Sequence, residues 1–410
     1  MMKEQFTETK TEYLKGDKVL WIVIILISML SVFPVYSASS NLEYIVNNGT
    51  TTGHVVKHIA FVFAGLIIMR SMAAFRIEKL GAFSILALFG TVLLLLLTFS
   101  SGQEIGGASA SRWLRIPGTP ISFQPSAFAY LMLIIYICRF LTKNVKTPFK
   151  PAQVYLGLFL PVAVVFLLVF RDNGSTALMI VLVSTLVMAL GRLKLKYIFT
   201  FFGAMSAIGV LFLVIALNTD WVGGNRVHTW KSRIETFTSK KDAEITEEDK
   251  AKTYQTMQAR AAIVHGGTFG IGPGKSALKQ TLPQSVSDFI FAIIVEEYGL
   301  MGAGFLIFLY VVMIFRIVTI ASKVNIFFGS LLVLSLGLMI FVQLAVNIAV
   351  ALSLMPVTGQ PLPLISYGGT SMLVTYFQLG LILNVSNRIL TNEEEGLGKK
   401  QSIEEINDIA

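Results

Sequence analysis

Ten apolar runs, each about as long as a bilayer is thick, constrain this chain more than any other feature. They cover residues 19–36, 58–74, 82–99, 124–141, 154–170, 175–190, 197–217, 289–315, 325–352 and 372–390. A backbone amide inside a bilayer finds no water, so a spanning segment must satisfy its own N–H and C=O groups, and runs of this length do so as α-helices. The expected fold is all-α, a polytopic membrane protein with ten transmembrane helices. Composition agrees: 54% of the 410 residues are hydrophobic and only 14% are charged, against about a quarter charged in soluble domains. The 289–315 run would make a helix of about 40 Å in a hydrocarbon core of about 30 Å. Its start is therefore expected to lie in protein. Gly299, Gly302 and Gly304 suit the close approach of a neighbouring helix.

The basic residues sort by connection. One set of short connections carries twelve of them, among them Arg70, Lys79, Arg139, Lys143, Arg316 and Lys323; the other carries Lys57, Arg112, Arg115 and Arg171. Lys and Arg accumulate on the cytoplasmic side, so the first set is cytoplasmic and both termini join it. The chain then divides into a cytoplasmic tail, 1–18, a membrane domain, 19–390, and a second cytoplasmic tail, 391–410. Residues 1–18 lack the shape of a cleavable signal. The large connection between the seventh and eighth helices, 218–287, faces outside, as does 356–371. The net charge of +9 is thus a topological signal, and nucleic acid is not an expected partner. The single cysteine, Cys138, excludes a disulfide within the chain and reads as a small core residue. His54, His58, His228 and His265 make no metal-ligand spacing.

Everything with the look of a site falls on the outward side. Residues 356–371, PVTGQPLPLISYGGTS, hold three prolines, three glycines and no charge between two spans. Such a segment is irregular backbone, tolerated at membrane depth only where it packs in protein or lines a wet cavity. Asp288 stands at the outer mouth of the eighth span, with Glu296 and Glu297 two to three turns further on. An ionisable residue there is a functional candidate, although Glu296 and Glu297 serve equally well as a lock on the bundle. Gln343 and Asn347, one turn apart, read equally as interhelical glue or as ligands. Residues 253–265 form an amphipathic helix stopped by Gly266 and Gly267, while the charged run 240–252 reads as a solvated face. Gly270-Ile-Gly272-Pro-Gly274-Lys275-Ser276 lacks the first glycine of a phosphate loop; it is either a plain turn or a backbone cradle for a pyrophosphate. Arg112 and Arg115 flank Trp113, an aromatic-belt residue, and either meet lipid phosphate or clamp a substrate phosphate. Arg171-Asp172-Asn173-Gly174 makes a tight outer turn.

Together these residues resemble the SEDS family (shape, elongation, division and sporulation), which contains RodA, FtsW and SpoVE, over nearly the whole chain. The most specific match is 356–371 with Asn347 upstream. The second is Asp288-Phe-Ile-Phe-Ala292 followed by Glu296-Glu297-Tyr-Gly-Leu300. Weaker ones are Ser111-Arg112-Trp113, Phe123-Gln-Pro-Ser126 and Asp172-Asn-Gly-Ser-Thr176. The form of 270–283, GxGxxxxxLKxxLP, is more similar to the division branch, FtsW, than to the elongation branch. The resemblance implies a peptidoglycan glycosyltransferase of the cytoplasmic (inner) membrane. It would polymerise lipid II at the outer face, at the division septum, with release of undecaprenyl pyrophosphate. Asp288 matches the family's essential aspartate and takes the catalytic base role. Arg112, Lys275, Glu297, Asn347, Gln360, Ser366, Gly368 and Gly369 are the substrate-binding candidates. Asp288 and Glu297 have the oxygen chemistry for a divalent cation, Mg or Mn. No nucleotide is expected, because the leaving group carries the energy. The implied partners are a class B penicillin-binding protein, a transpeptidase, and other divisome proteins.

Two departures stand out. Ala127 and Tyr130 occupy positions where the family carries Glu and Lys, and Phe170-Arg171 replaces a usual Gln-Pro. Arg112 and Arg171 are the candidates to supply the missing positive charge. Two other readings compete: a lipid II flippase, whose internal symmetry is not visible here because residues 1–200 hold no second breaker-rich segment, and a non-catalytic division scaffold, against which Asp288 argues.

Overall fold

The computed structural model describes residues 15–44, 50–75, 77–101, 113–115, 122–143, 149–218, 247–276 and 288–409. Each predicted span falls on a helix. The first is split into α1 (Lys18–Leu30) and α2 (Val32–Tyr44) by a turn at Ser31. Then follow α3 (Thr51–Ala73) and α4 (Ile77–Ser101). A two-stranded hairpin, β1 (Leu114–Arg115) and β2 (Ser122–Phe123), leads into α5 (Pro125–Lys143). The fifth span comprises α6 (Pro151–Val154), a π-helical turn (Tyr155–Phe159) and α7 (Leu160–Asp172). Next come α8 (Gly174–Leu190), α9 (Leu195–Asn218) and the outer-loop helix α10 (Glu247–Gly266). The chain ends with α11 (Ile290–Lys323), α12 (Phe327–Ala351) and α13 (Gly369–Ile409).

Among the described residues seven helical segments are long and apolar enough to cross a membrane, and two shorter apolar ones, Gly174–Leu190 and Leu195–Leu211, accompany them. The predicted tenth span lies within α13. Ile22, Phe63, Phe89 and Phe199 are exposed, as lipid-facing side chains are. The core centres on α5, where Leu131, Leu133, Ile134, Ile135 and Ile137 are fully buried against α4, α7, α8, α12 and α13. Cys138 is buried there too, within 3.3 Å of Ser335 Oγ, which agrees with its reading as a core residue.

Polar side chains tie the helices together where backbone groups run out. Asp17 caps α1, accepting from Leu20 N at 2.8 Å, and also pairs with Arg316 of α11. Asn384 of α13 closes the end of α3, donating to Met72 O at 2.9 Å and Ala73 O at 3.2 Å. Pro161 has no N–H for the Gly157 carbonyl four residues earlier, and Tyr136 takes that carbonyl instead at 2.6 Å.

The start of α11 lies in protein, as expected: every residue from Ile290 to Glu297 is buried. Its glycines act differently from the expectation. Gly299 breaks the helix, with φ 67° and ψ −173°, and the outer loop is spliced into the gap. Glu296 O and Glu297 O, which Leu300 and Met301 would bond in a continuous helix, accept instead from Ile271 N and Gly272 N at 3.0 Å. Leu300 N and Met301 N donate to Gly267 O and Thr268 O at 3.0 and 3.1 Å. A Cβ on Gly299 would collide with the Thr268 carbonyl, whereas Gly304 faces open space. Close helix approach occurs between α3 and α13, where the Tyr376 ring covers Gly65 and Gly380 meets the backbone of Met69. Gly65→Val should overpack that seam at a cost of about 1–3 kcal/mol. Thermal unfolding in detergent should show a lower midpoint for it than for Gly304→Val.

Candidate functional site

The segment 352–368 joins α12 to α13 without regular structure. Gly359 (φ 69°) and Leu364 (φ 64°) take left-handed conformations within it. Its carbonyls need donors, and neighbouring helices provide them. On α12, Asn347 Nδ2 donates to Gln360 O at 2.7 Å and Gln343 Nε2 to Pro361 O at 2.9 Å. On α11, the Tyr310 hydroxyl donates to Pro363 O. Leu362 N closes the loop on itself by donating to Ser366 Oγ at 2.7 Å. Leu362, Leu364 and Ile365 point into the core.

Asp288 is brought to this loop. Asn347 Nδ2 also donates to Asp288 O at 3.1 Å, so one buried amide joins the start of α11 to the breaker segment. Asp288 Oδ2 lies 3.5 Å from the point that a Cβ on Gly359 would occupy. That is ordinary van der Waals range, so the carboxylate stands beside the loop, and glycine is required at 359 for its left-handed φ of 69°. The connection continues outward: Gln360 Nε2 donates to Thr176 Oγ1 on α8 at 2.9 Å, and Gln124 N donates to Thr370 Oγ1 at 3.2 Å. Tyr367 packs edge-on against His54. Burial pushes its phenol above the usual value, so it remains neutral and is no rival base to Asp288.

Behind the loop lies a cavity of about 60 Å³, lined among others by Gln124, Tyr130, Thr176, Gln343, Gln360 and Gln378. It suits about two waters and is too small for a sugar. Among the described residues no charged side chain lines it. Ala127 and Tyr130, which replace the family's charged pair, both face it, with the Tyr130 hydroxyl 3.4 Å from Met179 O. Arg171 is exposed at the end of α7. Two residues on, Asn173 lines the cavity and caps α8, accepting from Thr176 N at 3.2 Å.

Several predicted ligands have other work. Glu297 is 1% exposed and faces away from Asp288: it accepts from Ser37 Oγ on α2 and from Ser276 N at 3.3 Å. Glu296, equally buried, accepts from Ser276 Oγ and lies 3.3 Å from His265 Nδ1. Both carboxylates lock the outer loop to the bundle. The glycine-rich turn is no pyrophosphate cradle, because the N–H groups of Gly270, Ile271, Gly272, Lys275 and Ser276 are all donated within the protein. Lys275 is exposed and folds back over Gly272. Ser366 is buried as an acceptor inside the loop, Gly368 sits under Ser371 Oγ, and Gly369 makes room for the Phe61 ring. Arg112 lies outside the described residues.

The predicted cation pair does not fit either. Asp288 lies two residues before α11, against the 352–368 loop, whereas Glu297 lies two turns into the helix and is enclosed by Ser37 and Ser276. No three His, Cys, Asp or Glu side chains cluster among the described residues. The sequence reading also missed a polar face. Ser371, Thr375 and Gln378 of α13 all line the cavity, and their i, i+4, i+7 spacing inside an apolar span was the available signal.

Comparison with known proteins places this geometry. The family model described as cell cycle protein, covering FtsW, RodA and SpoVE, matches residues 17–390. A Geobacter sulfurreducens protein named "Probable peptidoglycan glycosyltransferase FtsW" is 30% identical over 91% of this chain and 95% of its own. An Enterococcus hirae protein of the same name is 29% identical over 94% and 97%. Among solved structures, a chain from a peptidoglycan synthase complex superposes with TM-score 0.69 at 22% identity, covering 91% of this chain and 98% of that one. Thermus thermophilus RodA superposes with TM-score 0.63 at 21% identity, over 91% and 97%.

Asn347→Ala should leave Gln360 O and Asp288 O without their donor, at a cost of about 1–3 kcal/mol. The expected result is a lower unfolding midpoint in detergent. A midpoint equal to wild type would mean that other contacts hold Asp288 against the loop.

Proposed function

The chain belongs to the FtsW/RodA/SpoVE family of cell cycle proteins, and from that membership we propose that it is a peptidoglycan glycosyltransferase polymerising lipid II for septal wall synthesis. The observation that carries this reading is the carboxylate of Asp288, held against Gly359 at the outer end of the bundle by the Asn347 clamp. The acceptor sugar hydroxyl attacks the anomeric carbon of the donor sugar. The hydroxyl proton passes to Asp288, and the bond from the anomeric carbon to the pyrophosphate oxygen breaks. Undecaprenyl pyrophosphate leaves with the electron pair. A positioned base contributes about 100- to 10,000-fold to such a step. Asp288 does this work from a fixed backbone: its own carbonyl and the loop carbonyl beside it share one donor, so the carboxylate and the loop move together.

The departing pyrophosphate needs positive charge, and the cavity behind the loop has none. We assign that role to Arg171, exposed at the α7–α8 corner; Arg112 keeps its place as a candidate on the sequence alone. Lys275 is exposed but lacks the backbone cradle first envisaged for it. The lipid tail lies in the bilayer against the apolar helix faces. Family relatives named FtsW favour the division role over elongation, and the neighbouring peptidoglycan synthase complex supports a class B penicillin-binding protein as partner, at the septum of the cytoplasmic membrane.

The decisive experiment is glycan polymerisation from purified lipid II in detergent, with the cognate transpeptidase co-purified and Mg²⁺ or Mn²⁺ supplied. Asp288→Ala should lose about 100-fold or more of the activity while remaining folded. Glu297→Gln should keep wild-type activity, since Glu297 faces Ser37 and Ser276. Polymer from folded Asp288→Ala would remove Asp288 from the base role. No polymer from any form, with lipid II translocation in proteoliposomes, would establish the flippase instead. Arg171→Ala should slow polymerisation; an unchanged rate would take Arg171 out of pyrophosphate binding.

A further inference from the structure

A larger cavity lies at the opposite end of the bundle from Asp288. α12 has 25 residues, about 37 Å of helix. Asn347 stands near its end, and this cavity opens at its start, beside the α11–α12 corner. Its volume is about 540 Å³, within the range of ligand pockets. Four cations line it, from three parts of the fold: Arg139 and Lys143 of α5, Lys323 closing α11, and Arg388 of α13. Among the described residues no Asp or Glu lines it. Arg139 gives one N–H to Gly81 O, while Lys143 and Lys323 are exposed and have no partner among the described residues.

Two further features point to an anion with an apolar body. Ile326, the N-cap of α12, makes no side-chain cap bond, and Ile326, Phe328 and Gly329 border the cavity. The positive end of a long helix therefore adds to the four side-chain charges. Phe328, Val385 and Ile389 form an apolar wall beside them. Lys143 and Lys323, without partners among the described residues, bring like charges to one hollow, so the arrangement is at its most stable with a negative group inside. This end of the bundle carries the basic connections, and anionic phospholipids face the cytoplasmic side of a membrane.

We propose that this cavity binds the phosphate headgroup of an anionic phospholipid of the cytoplasmic leaflet, with its acyl chains against the apolar wall. The headgroup bridges α5, the α11–α12 corner and α13. Those helices also build the outer site, since α11 begins beside Asp288 and α12 carries Asn347. The volume and the apolar wall favour a lipid over a free phosphate ion.

The test is thermal stabilisation of the purified full-length protein, titrated with micelles containing phosphatidylglycerol, with phosphatidylcholine micelles and with inorganic phosphate. Wild type should be stabilised by phosphatidylglycerol selectively. Lys143→Gln/Lys323→Gln should weaken that response on the order of 25-fold, from about fivefold per lysine near an anionic surface. Neither lysine has a partner among the described residues, so the variant should fold; Lys323→Gln alone serves if it does not. Lys194→Gln/Lys196→Gln removes the same charge from exposed positions outside the cavity and should respond like wild type. Equal weakening in both double variants would overturn the proposal in favour of diffuse surface charge. Equal stabilisation by phosphatidylcholine, or by inorganic phosphate, would overturn it as well.

Discussion

Within a bilayer no solvent molecule rescues a stray backbone amide, and that constraint explains each place where this chain leaves the helix. At Gly299 the ladder of α11 opens, and four hydrogen bonds to residues 267–272 replace those it loses. At Pro161 one carbonyl is freed, and Tyr136 takes it. Across 352–368 the helix is absent, and Gln343, Asn347 and Tyr310 donate to the carbonyls in its place. At the end of α3 Asn384 does the same. Polar residues inside the spans are therefore mostly structural, spent on backbone rather than on substrate.

This economy separates the groups that act from those that hold. Glu296 and Glu297 carry the charge expected of catalysis, yet they are buried under the outer loop and bonded to serines and a histidine. Asp288 differs because it stands before the first turn of α11, half-buried, with its carboxylate beside Gly359 of the loop. Under the proposed function, truncation damages the protein by two routes: loss of Asp288 removes the base, whereas loss of Asn347 removes geometry.

The helices and their order were legible in the sequence because hydropathy and length alone decide them. Asp288 and the 356–371 segment were legible because a charge at a span entrance and three prolines between spans are costly in a bilayer unless the fold makes use of them. Gly299 was not. A glycine in an apolar run reads the same whether it admits a neighbouring helix or breaks its own, since the sign of φ is set by the loop that docks there. Gly270 to Lys275 misled for the same reason: the sequence shows glycines near a lysine, but the partners of their N–H groups lie on α11. Ser366, Gly368 and Gly369 drew attention through a motif whose job at those positions is packing.

The neutral lining behind the loop has a physical logic. A permanent charge buried in this bundle would need a partner of equal quality, and Ala127 and Tyr130, where the resemblance led to the expectation of a charged pair, face the cavity instead. A pyrophosphate is therefore best met at the water-facing rim, where a cation keeps its hydration and loses little by approaching. Arg171, Arg115 and Lys275 are exposed, each on a segment joined to an element of the candidate site: Arg171 to α8, Arg115 through β2 to α5, and Lys275 through the splice to α11. The interior supplies rigidity and one oriented carboxylate, while the rim supplies charge. In the proposed reaction that division lets a mostly apolar bundle handle a doubly phosphorylated lipid without burying its charge.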